Sequence, residues 1–316
     1  MSWIEAVFPN LNHSFAIKFV LSPYYLTGTM LIVGLIWIRR GREQNLIEFM
    51  LPRSIYKHAS NWVDIKLAIF NTLFLSTGAF STLFFTPWVT LKVHAVLLGL
   101  SGYTSTEIST TRMFVAGIVL FLSQDFCRYC LHYVHHKNHF FWPFHAVHHS
   151  AEVMTPITFM RAHPMYSVLQ AILISILVGF VQAIVLFALV RQISPGAVYA
   201  GTYAFSIYIF FGGHLRHSHI WLSYGRTIEH FLISPAQHQI HHSSDVKHHD
   251  KNYGEIFAIW DWMFGTLYIP DGKEELKFGL ANHQGTSISQ PYPTLRDALV
   301  GPFKEVWHKI KDKKLI

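Results

Sequence analysis

Charged residues are scarce in this chain, because only 14% of its 316 residues are Asp, Glu, Lys or Arg. Apolar residues make up 51% and aromatic residues 16%. Soluble proteins are roughly one quarter charged, so this composition excludes an ordinary soluble enzyme and favours an integral membrane protein. The formal charge of +7 does not indicate nucleic-acid binding, because no recognisable nucleic-acid-binding module accompanies it.

Cysteine is also rare, and the two that occur, Cys127 and Cys130, form a single CxxC pair. Without a second pair, a redox motif or a cysteine zinc site is disfavoured, and helix packing is the better interpretation. The HExxH sequence of many zinc hydrolases is absent as well. Only Glu152, three residues after a histidine cluster, could serve such a hydrolase, so a zinc-dependent membrane hydrolase is an alternative with little support.

Long hydrophobic runs predict membrane-spanning helices, each of which needs about 20 largely apolar residues. Five runs qualify: residues 20–38, 65–85, 113–131, 166–190 and 197–211. The last two are joined by a Pro-Gly pair at 195–196 and predict a membrane hairpin. Residues 88–100 are apolar but short, and we expect them to be interfacial or re-entrant.

These runs predict an all-α integral membrane protein with about four to five transmembrane helices and a cytosolic helical cap. Arg39, Arg40 and Arg42 follow the first run, and positive charge marks the cytoplasmic side of a membrane protein. Counting spans from there places every histidine cluster described below on the cytoplasmic face. The lysines near the C-terminus form a basic end that we expect to rest on anionic lipid.

Histidine, by contrast, is abundant, and 17 of the 22 histidines lie between His132 and His249. The pattern HxxHH occurs three times, at residues 132–136, 145–149 and 238–242. Residues three and four apart are neighbours on a helix, so two or three imidazoles could converge on one cation. Imidazole suits iron, zinc, copper or nickel, and one cation rarely takes more than six donors. Eight or more candidate ligands therefore predict two metal ions.

The predicted metal ligands are His132, His136, His145, His148, His149, His214, His217, His238, His241 and His242. We expect at least one of His214 and His217 to complete the site. The remaining histidines are assigned other places. His135 and His139 are as compatible with solvent as with metal, and His163 before Pro164 is expected to be structural or to support a ligand. A packing role is favoured for His219 and His230, and a solvated loop for His248 and His249.

Asp125 is the predicted carboxylate of the site. It precedes His132 by seven residues, which is two helical turns, so both side chains share one helix face. Metal-bound histidines usually donate their second ring N–H to a carboxylate or a carbonyl group. We therefore predict that Asp125 accepts such a bond and assign it to the catalytic site, with a solvated amphipathic helix end as the alternative.

The order of the motifs carries more information than any one of them. The first motif is Asp125-Phe-x-x-Tyr129-x-x-His132-x-x-x-His136. It is followed by Phe144-His145-x-x-His148-His149-Ser150, His217-Ser218, Pro235-x-x-His238-x-x-His241-His242-Ser243, Asn252-Tyr253-Gly254 and Trp260-Asp261-x-x-Phe264-Gly265-Thr266. This series resembles the sterol desaturase / fatty acid hydroxylase superfamily over about residues 113–268. The chain departs from that pattern at His219, where many members have asparagine, which leaves open whether His214, His217 or His219 binds metal.

The resemblance implies a functional di-iron centre that uses O2 and two electrons to hydroxylate or desaturate an unactivated C–H of a lipid. It implies the ligands named above, with His217 or His214 as the additional one, and zinc could replace iron in a purified sample. Because the sequence carries no cytochrome b5 signature, we expect an external electron-transfer protein, either cytochrome b5-like or a ferredoxin/reductase. We favour hydroxylation slightly, and the sequence does not identify the lipid.

The implied organisation has three parts. Residues 1–110 form an N-terminal transmembrane section, residues 111–270 a fatty acid hydroxylase-like catalytic domain, and residues 271–316 a polar and basic C-terminal tail. A histidine-rich metal-binding or transport protein is the remaining alternative. It predicts ionisable residues within several spans, whereas the hairpin over residues 166–211 contains only Arg191, at its tip.

Overall fold

The computed structural model describes residues 23–76, 82–102, 109–194 and 213–312. These ranges contain eleven α-helices: α1 Pro23–Arg39, α2 Leu46–Met50, α3 Arg53–Tyr56, α4 Ala59–Ser76, α5 Thr82–Ser101, α6 Thr110–Lys137, α7 Trp142–His149, α8 Pro164–Val185, α9 Pro235–His241, α10 Ile259–Phe264 and α11 Leu295–Lys311. The π-helical turn Leu186–Val190 extends α8. No strand occurs within these ranges, where β-structure is limited to isolated bridges. The all-α prediction is confirmed for this part of the chain.

Two of the helices are long and apolar enough to cross a membrane, Thr110–Lys137 and Pro164–Val190. Their outer faces are apolar, since Phe114 is 70% exposed and Phe180 is 50% exposed. The segment Leu26–Arg39 of α1 is a shorter apolar helix. The total of four to five spans stays a prediction, and the second arm of the predicted hairpin, residues 197–211, lies outside the described residues.

The predicted span over residues 65–85 stays a prediction, because residues 77–81 lie outside the described residues. The described parts of this run lie in α4, which is described to Ser76, and in α5, which is described from Thr82.

The interfacial or re-entrant placement expected of residues 88–100 stays a prediction. These residues form the body of the 20-residue helix α5, which packs along α8. The approach is close, because a Cβ atom at Gly179 of α8 would lie 2.7 Å from Cβ of Val89. The Thr90 hydroxyl donates a hydrogen bond to Gln182 Oε1 at 2.9 Å across the same contact. The helix begins at Thr82, ahead of the run that the hydropathy pattern identified.

The helices α6 and α8 pack against each other in opposite directions. At one end, Ala116 and Leu120 of α6 pack with Leu186 and Val190 in a buried cluster. At the other end, the ring of His135 lies 4.8 Å from the ring of Tyr166, near the start of α8. The end of α6 that carries the first histidine cluster therefore lies beside the beginning of α8.

A second buried cluster holds α7 in place. It combines residues of α4, α7 and the C-terminal region, namely Val63, Leu67, Ala146, Val147, Tyr292 and Ala298. The apolar side of α7 is used in this packing, and its histidines are on the remaining surface of the helix. The N-terminal and C-terminal parts of the chain thus position the helix that carries the second histidine cluster.

Candidate metal centre

Nine histidines form two adjacent groups. Site A consists of His132, His136, His145, His149 and His241, and site B consists of His148, His217, His238 and His242. Within each group, the candidate ligand atoms all lie within 4.8 Å of one another. The rings of His149 in site A and His242 in site B stack with their centroids 4.4 Å apart. The geometry therefore offers two cation positions side by side.

Each of the last two HxxHH clusters is divided between the sites. In α7, His145 and His149 belong to site A and His148 belongs to site B. At α9, His238 and His242 belong to site B and His241 to site A. With 3.6 residues per turn, residues i and i+4 differ by roughly 40° around the helix, whereas i+3 is about 60° away on the other side. Two imidazoles of each of these clusters therefore share one site, and the third enters the other site.

The start of α9 is fixed by a capping box. Ser234 Oγ accepts a hydrogen bond from Gln237 N, and Gln237 Oε1 accepts one from Ser234 N. The Ser234 hydroxyl in turn donates to Glu229 Oε1 at 2.6 Å. All three side chains are buried, so the first turn of α9 is closely determined. This cap orients the helix that presents His238 and His241.

The hydrogen bonds of His132 and His241 determine which ring nitrogens in site A are free to bind a cation. Nδ1 of His132 lies 2.8 Å from the carbonyl oxygen of Tyr253, and Nδ1 of His241 lies 2.7 Å from that of Lys251. A carbonyl oxygen only accepts, so both Nδ1 atoms carry the proton and both Nε2 atoms present lone pairs. Those two Nε2 atoms are 3.1 Å apart. Facing lone pairs repel at this separation, and a cation between them would remove the conflict.

Site B shows the same conflict. His148 Nδ1 donates to the carbonyl oxygen of Arg161 at 3.1 Å, which directs the lone pair of its Nε2 toward His217 Nε2, also 3.1 Å away. His238 Nε2 lies 3.0 Å from His217 Nε2 and 3.2 Å from His242 Nε2. In addition, Nδ1 of His238 and Nδ1 of His242 are buried without a hydrogen-bond partner. Buried polar atoms are rarely left in this state without an ion or water nearby.

The imidazoles outside the spans are held neutral. Burial lowers the pKa of His148 to about 4. Burial, together with the neighbouring imidazoles, keeps the pKa of His149, His238 and His242 well below the ordinary histidine value. Neutral imidazoles offer lone pairs to a metal, and within the described ranges both groups consist of histidine alone. This nitrogen-only donor set fits two borderline transition-metal ions better than calcium or magnesium.

The structure brings together every predicted ligand except His214, whose side chain lies outside what the structure describes. His135 belongs to neither group, and its Nδ1 donates to the carbonyl oxygen of Leu131. His163 caps α8 by accepting from Met165 N, and His219 Nε2 contacts the carbonyl oxygen of Phe49. Metal ligation by the nine grouped residues stays a prediction.

The predicted contact between Asp125 and a metal-binding histidine is wrong. The buried carboxylate accepts hydrogen bonds from Ile256 N at 3.0 Å, Phe257 N at 3.1 Å and Trp260 Nε1 at 2.8 Å. Asp125 therefore holds the segment after Tyr253, and it is the Tyr253 carbonyl that binds His132. Its effect on site A is transmitted through the backbone of that segment.

Asp261 has a positioning role that the sequence did not reveal. Its carboxylate accepts from Tyr253 N at 2.8 Å and from Gly254 N at 2.7 Å. A Cβ atom at Gly254 would lie 2.8 Å from Asp261 Oδ2, so this approach needs glycine. The Asn252-Tyr253-Gly254 and Trp260-Asp261 motifs were visible in the sequence, but their contact spans a loop that local spacing does not predict.

The predicted solvated loop is wrong for His248, which is only 1% exposed. Its Nε2 lies 3.2 Å from Glu274 Oε2, and its ring contacts the ring of Tyr268 at 4.9 Å. The segment around Glu274 covers this histidine. The polar local sequence predicted exposure because it carries no information about a covering segment 26 residues later.

A cavity of about 460 Å³ opens beside site A. His136, His149 and His241 form part of its wall. The rest of the wall mixes polar residues with apolar ones, among them Lys137, His139, Ser243, Asn282, His283 and Lys309 beside Trp142, Leu280, Ala281 and Ile288. Lys137 is 42% exposed at its side chain, so the cavity connects site A with the polar surface of the protein.

These features define a helical protein with two helices apolar enough to cross a membrane and a paired, histidine-only centre at one end of them. Residues 117–266 match the fatty acid hydroxylase family. This match fits the sterol desaturase / fatty acid hydroxylase superfamily that the motifs resemble. The match includes every histidine of sites A and B.

Several curated proteins are similar to this chain. Alkylglycerol monooxygenase of Caenorhabditis elegans is 28% identical over 179 residues, which are 56% of this chain and 32% of that protein. The Homo sapiens alkylglycerol monooxygenase is 31% identical over 162 residues, 51% of this chain and 32% of the relative. Ornithine lipid hydroxylase OlsE of Rhizobium tropici is 28% identical over 182 residues, 56% of this chain and 50% of the relative. The chain thus spans half or less of each of these relatives, and no solved structure matches it.

Proposed function

We propose that this protein is an O2-dependent membrane oxidoreductase that hydroxylates an unactivated C–H of a lipid with two iron ions. The observation that carries this proposal is the division of nine imidazoles, six of them buried and three half-buried, into two adjacent groups. The family match and the relatives named as lipid monooxygenase or lipid hydroxylase support it. Desaturation is the related outcome that product analysis would distinguish.

Bound at sites A and B, two irons would supply the redox chemistry with O2 that no side chain can provide for an unactivated carbon. The chain's own residues hold the ligands in place. The carbonyl groups of Tyr253, Lys251 and Arg161 fix the orientation of His132, His241 and His148. Because α7 and α9 each contribute to both sites, the separation of the sites is set by two rigid helices.

We place the centre at the cytoplasmic face of the membrane, at the end shared by α6 and α8. The aromatic ring of Tyr166 stacks on His145 with centroids 4.6 Å apart and shields that side of site A from water. The substrate is a membrane lipid, and the electrons come from a separate protein, either cytochrome b5-like or a ferredoxin/reductase. We assign the cavity beside site A, which His136, His149 and His241 line, as the route for water and protons from the aqueous side.

The test uses the full chain in lipid nanodiscs loaded anaerobically with Fe²⁺. We expect two irons per chain, O2 uptake that requires both reductant and lipid, and a lipid product heavier by one oxygen atom in mass spectrometry. The matched control omits the reductant. Metal flux across sealed vesicles without O2 uptake, or a hydrolysed lipid without an added oxygen, would overturn the proposal in favour of transport or hydrolysis.

A further inference from the structure

The C-terminal helix α11 exposes an apolar stripe. Val300, Phe303, Trp307 and Ile310 are between 40% and 57% exposed. Their spacing of three and four residues places them on one face of the helix. Ala298 and Pro302 are buried on a different face, toward the rest of the protein. Because α11 is already docked through that face, the stripe is a second apolar surface.

Cationic side chains flank the stripe. Lys304 and Lys311 are exposed, and Lys311 Nζ lies 5.3 Å from the ring centre of Trp307. Lys309 has a different task, because its Nζ donates to Glu305 Oε1 and to the carbonyl oxygen of His139. An apolar face with tryptophan and bordering lysines is typical of a helix that lies in a membrane interface.

The position of α11 agrees with such an interface. The carbonyl oxygen of Leu299 lies 3.0 Å from Nε2 of His163, the residue directly before the membrane-span candidate that begins at Pro164. The ring of Phe303 contacts those of His163 and Phe144, at 5.3 and 5.1 Å. The stripe therefore adjoins the point where α8 would leave the membrane.

We propose that α11 rests in the interface of the bilayer that α8 crosses, with its apolar stripe among the upper acyl chains and Lys304 and Lys311 on anionic headgroups. This inference rests on the membrane location in the proposed function, but not on its metal chemistry. The membrane contact has a consequence for the site, since Lys309 and Leu299 connect α11 with His139 and His163, which flank the ligand helix α7.

The first experiment measures lipid contact directly. The two native cysteines are replaced by serine in the full chain, and a bimane label is attached at Trp307→Cys or, as the matched control, at the neighbouring exposed residue His308→Cys. In nanodiscs of brominated phospholipid we expect several-fold stronger quenching at position 307 than at 308, with the opposite order for aqueous iodide. Equal iodide quenching at both positions would overturn the proposal, as would protection of position 307 from both quenchers, which indicates a protein partner or a second copy.

The second experiment keeps the native cysteines and measures hydrogen exchange of α11. We expect slower exchange in nanodiscs containing phosphatidylglycerol than in pure phosphatidylcholine, and loss of that difference in the double variant Lys304→Glu/Lys311→Glu. The control variant Lys273→Glu/Lys277→Glu makes the same charge change at two exposed lysines outside α11 and keeps the difference. An identical lipid response in both double variants would overturn the role of the α11 lysines. Iron content is measured on the same samples. A wild-type chain that binds no iron but keeps its lipid contact would count against the proposed function only.

Discussion

Arg161 and Asp64 form an ion pair with 2.6 Å between Nη1 and Oδ1, in which both side chains are completely buried. The same guanidinium donates to the carbonyl oxygen of Val147 and to Ser150 Oγ. The backbone carbonyl of Arg161 accepts the N–H that orients His148 in site B. Asp64 lies in α4, outside the segment that matches the family. It is nevertheless connected through a single residue, Arg161, to the candidate metal ligand His148.

Asp64→Asn should therefore weaken site B as well as the fold. Removing one partner of a buried pair costs about 3–5 kcal/mol, because the other charge stays buried. We expect a lower unfolding temperature and less than two irons per chain, measured by thermal unfolding in detergent and by metal analysis.

Asp271→Asn provides the matched control for Asp64. Asp271 pairs with Arg226, but the two side chains are 93% and 75% exposed. Exposed pairs contribute about 0–1 kcal/mol, so metal content and unfolding temperature should barely change. If Asp64→Asn behaves like this control, the proposed link from α4 to site B is incorrect.

The ligand boundary can be tested with three alanine substitutions. His148→Ala and His241→Ala remove one donor from site B and one from site A, and each should lower iron content and abolish O2-dependent lipid oxidation. His248→Ala should leave two irons in place. Because His248 is buried beside Glu274, this variant should lose stability on the order of 1 kcal/mol. Equal loss of iron in all three variants would contradict the assignment of His148 and His241 as ligands and of His248 as a residue outside the metal centre.

Local spacing predicted which histidines come together but not how they divide between sites A and B. The HxxHH pattern identified His145, His148 and His149, since neighbours on a helix are fixed by 3.6 residues per turn. Which site each ring enters depends on how α6, α7 and α9 pack, and that packing involves contacts across more than 100 residues, such as His241 with His132. The same limitation explains Asp125, whose partners lie more than 130 residues later.

Asp125→Asn should reduce turnover more than iron content. The carboxylate accepts three N–H groups, whereas an amide presents one oxygen and one NH2 group that repels a donor. The segment after Tyr253 should loosen at a cost of about 1–3 kcal/mol. Turnover and unfolding temperature measure the effect.

Trp260→Phe is a milder test of the positioning role of Asp125, because it removes only the indole donor and leaves the two backbone donors in place. We expect a smaller fall in turnover and stability than in Asp125→Asn. Unchanged turnover in both variants would exclude a positioning role for Asp125.

Removal of the metals should make the stability of the protein strongly dependent on pH. In the metal-free protein, burial lowers the pKa of His148 to about 4, against about 6.5 in an unfolded chain. As the pH falls below about 6.5, the imidazoles of the unfolded chain bind protons, whereas those of the folded protein stay neutral. The free energy of unfolding therefore decreases until the pH approaches the pKa of the folded protein. The pKa values of other cluster histidines outside the spans shift in the same direction, which steepens the loss of stability.

Thermal unfolding between pH 8 and about 4 tests this prediction on chelated and on iron-loaded protein. The stability of the chelated protein should decline steeply, and the decline should begin at a higher pH than in the iron-loaded protein, because there the bound metal occupies the lone pairs. Parallel curves for the two forms would contradict metal binding by these imidazoles.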